Sequence, residues 1–352
     1  MAKKLKEPNE LVGNATIADI IKASGNQYAD TAENSEVLNN KDSFSTQIYG
    51  MNIGLGGELT GAMTCGCLQL VGDTMTFKTL FMLVLAKSYL DKYDDAKFIL
   101  FDSEHGSAKE YFDSVGIDPA RVVHCPIVSV EDLRGQANKI MDILKRDQRI
   151  FFGVDSIGLL ASNKEINDAI SGNEAADMTR AKALNSFFRT IVSKLPVLNM
   201  PMVIVNHSYA DMKGPYAPDI IKGGKNSVLA ADTIWTITRA NDRETGGDKE
   251  LKGFKFTITI HKSRKARQRS QIPIMVSFEH GINKYSGLQD IAEEGGFITS
   301  PSQGKLEYNG QTCKTADDDT INSWLEELVH NEEFADYIRD TYKQVGKKLI
   351  QG

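Results

Sequence analysis

Residues 67–90 read CLQLVGDTMTFKTLFMLVLAKSYL. The apolar run 67–71 lies between two glycines, a pattern typical of a buried parallel strand. The loop 72–79 follows and ends in Lys-Thr. The residues after it contain no Gly or Pro and carry apolar side chains at helical spacing. A strand, a loop ending in Lys-Thr and a helix together predict a phosphate-binding loop, because loop amides and a helix N-terminus attract an anion.

Two residues of this loop carry most of its predicted chemistry. Lys78 can reach the β- and γ-phosphates of a nucleotide, and the Thr79 hydroxyl can hold Mg²⁺. Phe77 stands where the usual pattern G-x-x-x-x-G-K-[ST] has its second glycine, so an ordinary turn with a chance Lys-Thr stays open. The candidate nucleotide-binding residues of the loop are Gly72, Asp73, Thr74, Met75, Thr76, Phe77, Lys78 and Thr79.

Composition limits the class of protein. The chain has 352 residues, 41% of them hydrophobic, which is enough for one large core and a small appended domain. It contains no apolar run of about 18 residues and no apolar segment near its start, so we expect no membrane span and no secretory signal. The four cysteines do not form a disulfide framework and favour a reduced protein of the cytoplasm, that of the host cell if a phage encodes it. The net charge of −6 argues against a surface coated in basic charge, but a local nucleic-acid site remains open.

Polar residues follow several apolar segments at the point where each predicted strand ends. Glu104 follows 97–102, Asp155 ends 150–155, and His207 ends 202–207. Strands that alternate with helices over 66–240 predict an α/β fold with a mostly parallel sheet, in which ligands bind beyond the carboxyl ends of the strands. We therefore expect these three residues to converge with Gly72, Lys78 and Thr79.

A chemical role can be proposed for Glu104, Asp155 and Tyr111. Glu104 and Tyr111 each also have an alternative interpretation. Glu104 could take a proton from a water that attacks a γ-phosphate, or it could be a carboxylate facing a helix N-terminus. Asp155 is typical of the acid linked to Mg²⁺ in nucleotide triphosphatases. Tyr111 could stack on a base or could cap the core.

Other segments give weaker signals. The Gly-rich stretch 49–66 predicts tight turns. The polar stretch 161–178 and the long segment 208–227, which contains Lys213, Lys222 and Lys225, suit a nucleic-acid backbone, or they are solvated loops. The basic run KSRKARQR at 262–269 is either a solvated cluster or a nonspecific DNA patch.

The predicted organisation has three parts. Residues 1–45 form an arm and linker, with a short helix that begins after Thr16 as N-cap, although a frayed terminus would have the same composition. Residues 46–280 form the core, and residues 281–352 form a small α/β domain.

The order of these segments resembles a known family. A Gly-rich lead-in, the phosphate loop, FDSEHG, IFFGVDS, VIVNH, a Gly-Gly-containing loop and HKSR resemble the RecA family of recombinases, and within it most of all the UvsX recombinases of tailed bacteriophages. That group also carries Phe before the lysine and Asn-His at the end of the fifth strand. The resemblance covers about residues 45–350. It implies a RecA-like P-loop NTPase core that uses ATP and Mg²⁺ to form filaments on single-stranded DNA and exchange strands with homologous duplex DNA.

The resemblance also implies roles for individual residues. Lys78 and Thr79 would bind phosphate and Mg²⁺, Glu104 would activate water, Asp155 would be the acid at the metal, and His207 would sense the γ-phosphate. Tyr111 would stack on adenine, although Ala108 replaces an aspartate of the family. Lys262 and Arg264 would reach the ATP of the neighbouring subunit, with Arg264 in place of a lysine.

DNA and protein partners are implied in the same way. Residues 161–178 and 208–227 would be the two DNA-binding loops, and residues 1–30 would pack on the next subunit. A single-strand-binding protein and a recombination mediator are further implied partners. The candidate DNA contacts are Lys164, Lys213, Lys222, Gly223, Gly224 and Lys225.

Two other classes of protein remain as alternatives. A ring-forming helicase on the same core would need a further N-terminal domain, for which 1–45 is too short. A nucleotide-gated scaffold without catalysis would not need Lys78, Thr79, Glu104 and Asp155 together. If the recombinase interpretation holds, His207, with an ordinary pKa of about 6.5, should make DNA-stimulated ATP turnover vary with pH near neutrality.

Overall fold

The computed structural model describes residues 15–39, 41–104, 109–172, 178–209, 220–243 and 251–344. The chain divides into two compact units, Met1–Lys41 and Asp42–Gly352. The first unit contains the helices α1 (Ile17–Ser24) and α2 (Glu36–Asn39). Thr16 caps α1 as predicted, since its side chain accepts the Asp19 N–H and the Asp19 carboxylate accepts the Thr16 N–H.

The second unit alternates strands and helices along the chain. Its strands are β1 (Ser43–Phe44), β2 (Met63–Thr64), β3 (Gly66–Gly72), β4 (Lys97–Asp102), β5 (Val122–Pro126), β6 (Ile150–Asp155), β7 (Pro201–Asn206), β8 (Ser208–Tyr209), β9 (Ile220–Ile221), β10 (Thr233–Arg243), β11 (Leu251–Lys262), β12 (Gln271–Ser277), β13 (Thr299–Ser302), β14 (Lys305–Tyr308) and β15 (Gln311–Lys314). Its helices are α3 (Tyr49–Gly56), α4 (Lys78–Lys92), α5 (Lys109–Val115), α6 (Val130–Ile143), α7 (Asn163–Ser171), α8 (Thr179–Thr190), α9 (Leu195–Leu198), α10 (Gly224–Ala230), α11 (Leu288–Glu294), α12 (Asp318–Val329) and α13 (Glu332–Tyr342).

The main sheet is mostly parallel, as the sequence predicted. Its described strands run in the order β12-β11-β10-β3-β7-β6-β4-β5. The strands from β10 to β5 pair in parallel, and β11 and β12 add an antiparallel edge. Strand β3 lies between β10 and β7 and is buried along its whole length. The loop after β3 therefore opens at the middle of the sheet, where carboxyl ends of several strands meet.

Alternate residues of β3 supply the two faces of the core. Leu68 and Leu70 belong to the apolar cluster that includes α4, whereas Cys67 and Val71 belong to the cluster that includes α6 and α8. This alternation follows from the period of two along a strand. Because helices cover both faces of the sheet, the side chains of β3 form a continuous apolar run apart from Gln69.

The prediction of tight turns for 49–66 is wrong over its first half, which forms the buried helix α3. The glycines there serve close packing. A Cβ atom on Gly54 would lie 2.9 Å from the Trp235 ring, and one on Gly50 would lie 2.7 Å from the carbonyl oxygen of Ser286. The side chains around α3 thus leave no room for larger residues at these two positions.

Two further segments differ from expectation. Nine of the residues in the polar stretch 161–178 form α7, which begins with a capping box between Ser162 and Glu165. Alternating or apolar character predicts strands over 233–238 and 254–261, but β10 continues to Arg243 and β11 already begins at Leu251. The additional residues at the end of β10 and at the start of β11 are mostly polar. They have no alternation of apolar and polar side chains, so the sequence pattern does not predict a strand there.

Residues after Gly281 form α11, the antiparallel strands β13 to β15, α12 and α13. Trp324 and Phe334 of these helices belong to the same apolar cluster as α3 and β12. The polar stretch before this helix predicts an N-cap at Asp319 or Thr320, but the N-cap of α12 is Asp317, which accepts the Thr320 N–H. A separate small domain at 281–352 stays a prediction.

Candidate active site

The loop between β3 and α4 needs glycine at its first position. A Cβ atom on Gly72 would overlap the Ile237 carbonyl oxygen on β10 and would lie 2.9 Å from Thr76 Oγ1. Residues 73–75 are exposed, and α4 begins at Lys78, so the helix N-terminus opens to solvent. Exposed amides at such a terminus can bind a phosphate.

Phe77 takes the backbone conformation of the glycine that it replaces. Its φ of 54° and ψ of 27° lie in the left-handed region, which costs a residue with a Cβ about 1 kcal/mol or more. The ring packs on Phe256 and Phe254, with centroids 4.9 and 5.8 Å apart. The Arg239 guanidinium lies 4.6 Å from the Phe254 centroid and donates to the Met75 carbonyl at 3.3 Å. We infer that this packing offsets the strain and fixes the loop.

The Lys78 ammonium group lies across the loop. The residue is 6% exposed, and its Nζ donates to the Asp73 carbonyl at 2.6 Å and to Thr76 Oγ1 at 3.1 Å. Burial lowers the pKa of Lys78, while the carboxylates of Asp155 and Glu104 act in the opposite direction. A buried cation with neutral acceptors is well suited to an anionic ligand, which would compensate its charge.

Thr79 and Asp155 meet beside Lys78. Thr79 Oγ1 donates to Asp155 Oδ2 at 2.5 Å, and Asp155 Oδ1 is buried without a hydrogen-bond partner among the described residues. Burial raises the pKa of Asp155 to about 6, although the Thr79 hydrogen bond lowers it. A buried carboxylate oxygen with free lone pairs, next to a hydroxyl, fits a Mg²⁺ ion. Within the described ranges no group of three or more His, Cys, Asp and Glu side chains could hold a metal.

Glu104 is positioned by the ends of two strands. Ser156 Oγ, just after β6, donates to Glu104 Oε1 at 2.9 Å, and the Glu104 N–H donates to Asp102 Oδ1 at 3.0 Å. The side chain is 42% exposed, so water can reach it. Residues 105–108 lie outside the described part of the chain, and the alternative of a carboxylate at a helix N-terminus stays untested.

Several polar residues of this site were not predicted from the sequence. The Asp102 side chain is buried, and its Oδ2 lies 3.1 Å from Nε2 of His124 on β5. Ser103 Oγ donates to the Ser156 carbonyl at 2.8 Å and accepts the Ser156 N–H at 2.9 Å. The repeated pattern of Asp-Ser at two strand ends could have indicated Ser103 and Ser156. His124 could not be found, because its place depends on the pairing of β5 with β4.

His207 completes the cluster at the end of β7. Its Nε2 lies 3.6 Å from Glu104 Oε1, beyond hydrogen-bond distance, and its ring lies so close to Gly158 that a Cβ atom there would overlap it. Burial, and then the charge of Lys78, lower the pKa of His207, while Glu104 acts in the opposite direction. The charge change expected near neutrality therefore moves to the acid side of its ordinary value. The predicted convergence of Lys78, Asp155, Glu104 and His207 is present.

Tyr111 lies on α5 and is 48% exposed. The alternative in which it caps the core is wrong, because a core residue would be covered. Its stacking on adenine remains a prediction.

Lys164 is the candidate DNA contact named on 161–178. It is exposed on α7 and forms an ion pair with Asp168 one turn later. Lys213 lies outside the described residues. Because the side chain of Lys164 is exposed, it is accessible to DNA, and this DNA contact remains a prediction.

The second candidate segment returns to the site. The Lys222 N–H donates to the His207 carbonyl at 3.0 Å. Gly223 and Gly224 follow with φ angles of 96° and 73°, and Lys225 is exposed in the first turn of α10. The main chain thus brings Lys222 beside His207, a return that was not predicted from the sequence.

Lys262 and Arg264 lie away from this site. Lys262 Nζ donates to the carbonyls of Val228, Leu229 and Ala231 at 2.8, 3.0 and 2.5 Å, so it caps the end of α10. Arg264 is exposed, and its Nε lies 3.0 Å from Asp232 Oδ1. The description of Lys262 as a solvated charge is wrong, because its ammonium group has three carbonyl acceptors.

Comparisons with known proteins identify the family. The chain is 37% identical over 285 residues to the "Recombination and repair protein" of Enterobacteria phage T4, which covers 81% of this chain and 72% of that protein. The chain belongs to the RecA family of recombinases. It is 23% identical over 282 residues to "Protein RecA" of Mycoplasmopsis pulmonis, covering 79% of each chain. It is 24% identical over 313 residues to "Protein RecA" of Synechococcus sp. strain WH7803, covering 88% of this chain and 76% of the relative.

As a RecA-family protein the chain is UvsX-like, as its Phe-Lys-Thr loop and Asn-His strand end suggested. No family model matches it. Among its described helices, none is both long and apolar enough to cross a membrane.

Proposed function

We propose that this chain hydrolyses ATP between subunits of a filament on single-stranded DNA and uses that cycle to pair homologous DNA and exchange strands. A role in DNA recombination and repair follows from its family. The observation that carries the proposal is the convergence of Lys78, the Thr79–Asp155 pair and Glu104 beyond the carboxyl ends of β3, β6 and β4. A scaffold without catalysis would not need an exposed, positioned Glu104.

The residues divide the chemistry between them. Lys78 and the amides of 72–79 would hold the phosphates, and Thr79 and Asp155 would hold Mg²⁺, which neutralises phosphate charge when bound. Glu104 would accept the proton of the attacking water, while Ser156 fixes the orientation of its carboxylate. Tyr111 would stack on adenine.

The positions of Lys262 and Arg264 favour action on a neighbouring subunit. Asp232, the partner of Arg264, bonds to Cys67 at the start of β3. Gly72 ends that strand, about 16 Å away along the chain. Neither side chain belongs to the ATP site of its own subunit, whereas a filament would bring them to the next one. Residues 1–45 would then act as the polymerisation arm.

DNA would lie along 161–178 and 208–227. Their candidate contacts include Lys164, Lys222 and Lys225, and a single-strand-binding protein and a mediator would assist loading. The segment 208–227 follows directly after His207, and its Lys222 N–H donates to the His207 carbonyl. A ligand on this segment and a ligand at the phosphate loop would therefore both influence the position of the main chain at His207.

The decisive experiment measures ATP turnover with and without single-stranded DNA, with electron microscopy of the product. We expect DNA-stimulated turnover and filaments from the wild-type chain. Lys78→Ala should abolish turnover and strand exchange, because the phosphates lose their buried cation. Wild-type turnover in this variant would contradict the assignment of the loop.

Glu104→Gln separates binding from hydrolysis. It keeps an acceptor for Ser156 but cannot take a proton, so ATP should bind and the filament should hold DNA longer. Normal hydrolysis, or loss of ATP binding, would show that Glu104 has another role. Rings in place of filaments would favour the helicase.

A further inference from the structure

One arginine binds the main chain that follows the catalytic strand β6. Arg180 Nε donates to the Leu160 carbonyl at 2.6 Å, and its Nη2 donates to the carbonyls of Ile157 and Gly158, both at 3.1 Å. The fixed fork of a guanidinium suits several acceptors in one plane, and each bond is charge-assisted. We call residues 157–160 the bound segment.

The bound segment touches the candidate active site at two places. It begins one residue after Ser156, which holds Glu104, and two residues after Asp155. Gly158 lies against the His207 ring, and no side chain larger than hydrogen fits between them. The Ile157 N–H also donates to the Val205 carbonyl of β7 at 3.1 Å. A shift of the bound segment would therefore move the surroundings of both Glu104 and His207.

Arg180 itself lies at the far end of the candidate DNA-binding stretch 161–178. It is the second residue of α8, whereas the near end of the stretch is fixed on α6. There, the Ala161 carbonyl accepts the Val130 N–H at 3.0 Å, and the Asn163 N–H donates to Glu131 Oε2 at 3.0 Å. A ligand that shifts the start of α8 can thus act on the bound segment through Arg180.

We propose that Arg180 is a positioning residue that couples occupancy of 161–178 by single-stranded DNA to ATP turnover, by holding residues 157–160 against His207. This inference rests on the proposed function. Arg180 touches neither nucleotide nor DNA in this role. It joins the start of α8 to the main chain that precedes the stretch, so DNA that favours one position of α8 favours one position of Gly158.

The test compares three arginine variants. Arg180→Ala should leave ATP affinity without DNA within about twofold of wild type but lower the DNA-stimulated kcat by about tenfold, within the usual range of coupling between sites. The KM for ATP should stay the same. Arg180→Lys, which keeps a cation but loses the fork, should restore part of the stimulation. The control is Arg146→Ala, since Arg146 Nη1 also donates to two carbonyls, those of Pro196 and Val197 at 3.0 and 2.6 Å, but Arg146 precedes β6 and the bound segment follows its other end.

A second variant tests the same contact without changing Arg180. Gly158→Ala puts a methyl group into the His207 ring and should reduce DNA stimulation by a similar factor, while Gly135→Ala, where a Cβ meets nothing within 4 Å, should not. Both can be measured at a temperature at which circular dichroism shows the variants to be folded.

The outcomes separate the two proposals. If wild-type protein shows no DNA-stimulated turnover, the proposed function fails. If DNA stimulates ATP turnover of the wild type, and stimulates Arg180→Ala and Gly158→Ala as much as the wild type, only this inference is overturned. If Arg180→Ala loses ATP affinity without DNA, or if Arg146→Ala loses stimulation to the same degree, the arginine is a general structural support and the inference is also overturned.

Discussion

Phe77 shows how one side chain can replace a glycine in a phosphate loop. Its φ of 54° is strained for any residue with a Cβ, and its ring contacts Phe256 and Phe254. A scan for the usual pattern reads this position as a defect. The structure instead gives Phe77 the conformation of glycine and adds aromatic packing that glycine lacks.

Two substitutions at this position should separate strain from packing. Phe77→Ala loses the ring and keeps the left-handed strain, so we expect it to be destabilised by about 3 kcal/mol. Phe77→Gly loses the same ring but relieves the strain, so it should be more stable than Phe77→Ala by about 1 kcal/mol. Urea unfolding of the ligand-free protein measures both values. Equal stability of the two variants would mean that the conformation is not strained.

His207 gives a prediction about pH. Since burial and Lys78 lower its pKa, the imidazole is neutral at pH 7 and gains a proton only below its ordinary value of about 6.5. DNA-stimulated turnover of the wild type should therefore be flat around neutrality and change on the acid side. His207→Gln cannot titrate and should lack that change. A wild-type transition above about pH 7, or the same acid limb in both proteins, would contradict this assignment.

At the level of elements, the parallel pairing of β4 with β5 brings His124 to Asp102. One oxygen of the buried Asp102 carboxylate contacts His124, and the other accepts the Glu104 N–H. The end of β5 thus helps to fix the turn that carries Glu104. In the sequence His124 lies 22 positions after Asp102 and 20 after Glu104.

His124→Ala should lower kcat for ATP by about tenfold with little change in KM, because Glu104 is less well oriented. His124→Gln keeps an N–H donor and should recover part of the activity. His330→Ala is the matched control, since that imidazole is exposed at the end of α12 and its Nδ1 lies 2.8 Å from the Glu326 carbonyl oxygen, away from the candidate active site in the sequence. Full activity of His124→Ala would show that Asp102 needs no partner from β5.

At the level of the whole molecule, the proposed role of Lys262 and Arg264 is to complete the ATP site of a neighbouring subunit. Arg264 is the simpler to test, because it is exposed and its partner is Asp232. Lys262 also caps α10, so its removal should cost about 1.5–3 kcal/mol of stability in addition.

Arg264→Ala, alone and with Lys262→Ala, should leave nucleotide binding by the monomer nearly intact and remove DNA-stimulated hydrolysis and filament extension. A cation supplied in trans can be worth about 10³ or more in rate. Mixing the double variant with Lys78→Ala should restore some turnover, because an intact Lys78 site can then face an intact 262/264 pair. If the double variant hydrolyses ATP normally and loses only salt-sensitive DNA affinity, the run is a DNA patch.

The sequence by itself determined the order of strands and helices and the residues at the strand ends. Apolar runs predicted β3, β4 and β6 within a residue, because buried parallel strands exclude polar side chains. Glu104, Asp155 and His207 were singled out because they lie at or just after the ends of apolar runs, and Lys78 and Thr79 because they end the loop that follows β3. Local chemistry also predicted the cap of α1.

The tertiary structure decided what depends on residues far apart in the chain. The helix α3 was missed because its glycines are needed by Trp235 and Ser286, which lie far along the sequence. The roles of Phe77, His124 and Lys262 depend on which strand or helix lies beside them, and Arg180 acts on carbonyls 20 to 23 residues away. Such contacts are set by strand order and register, which the pattern of one chain does not encode locally.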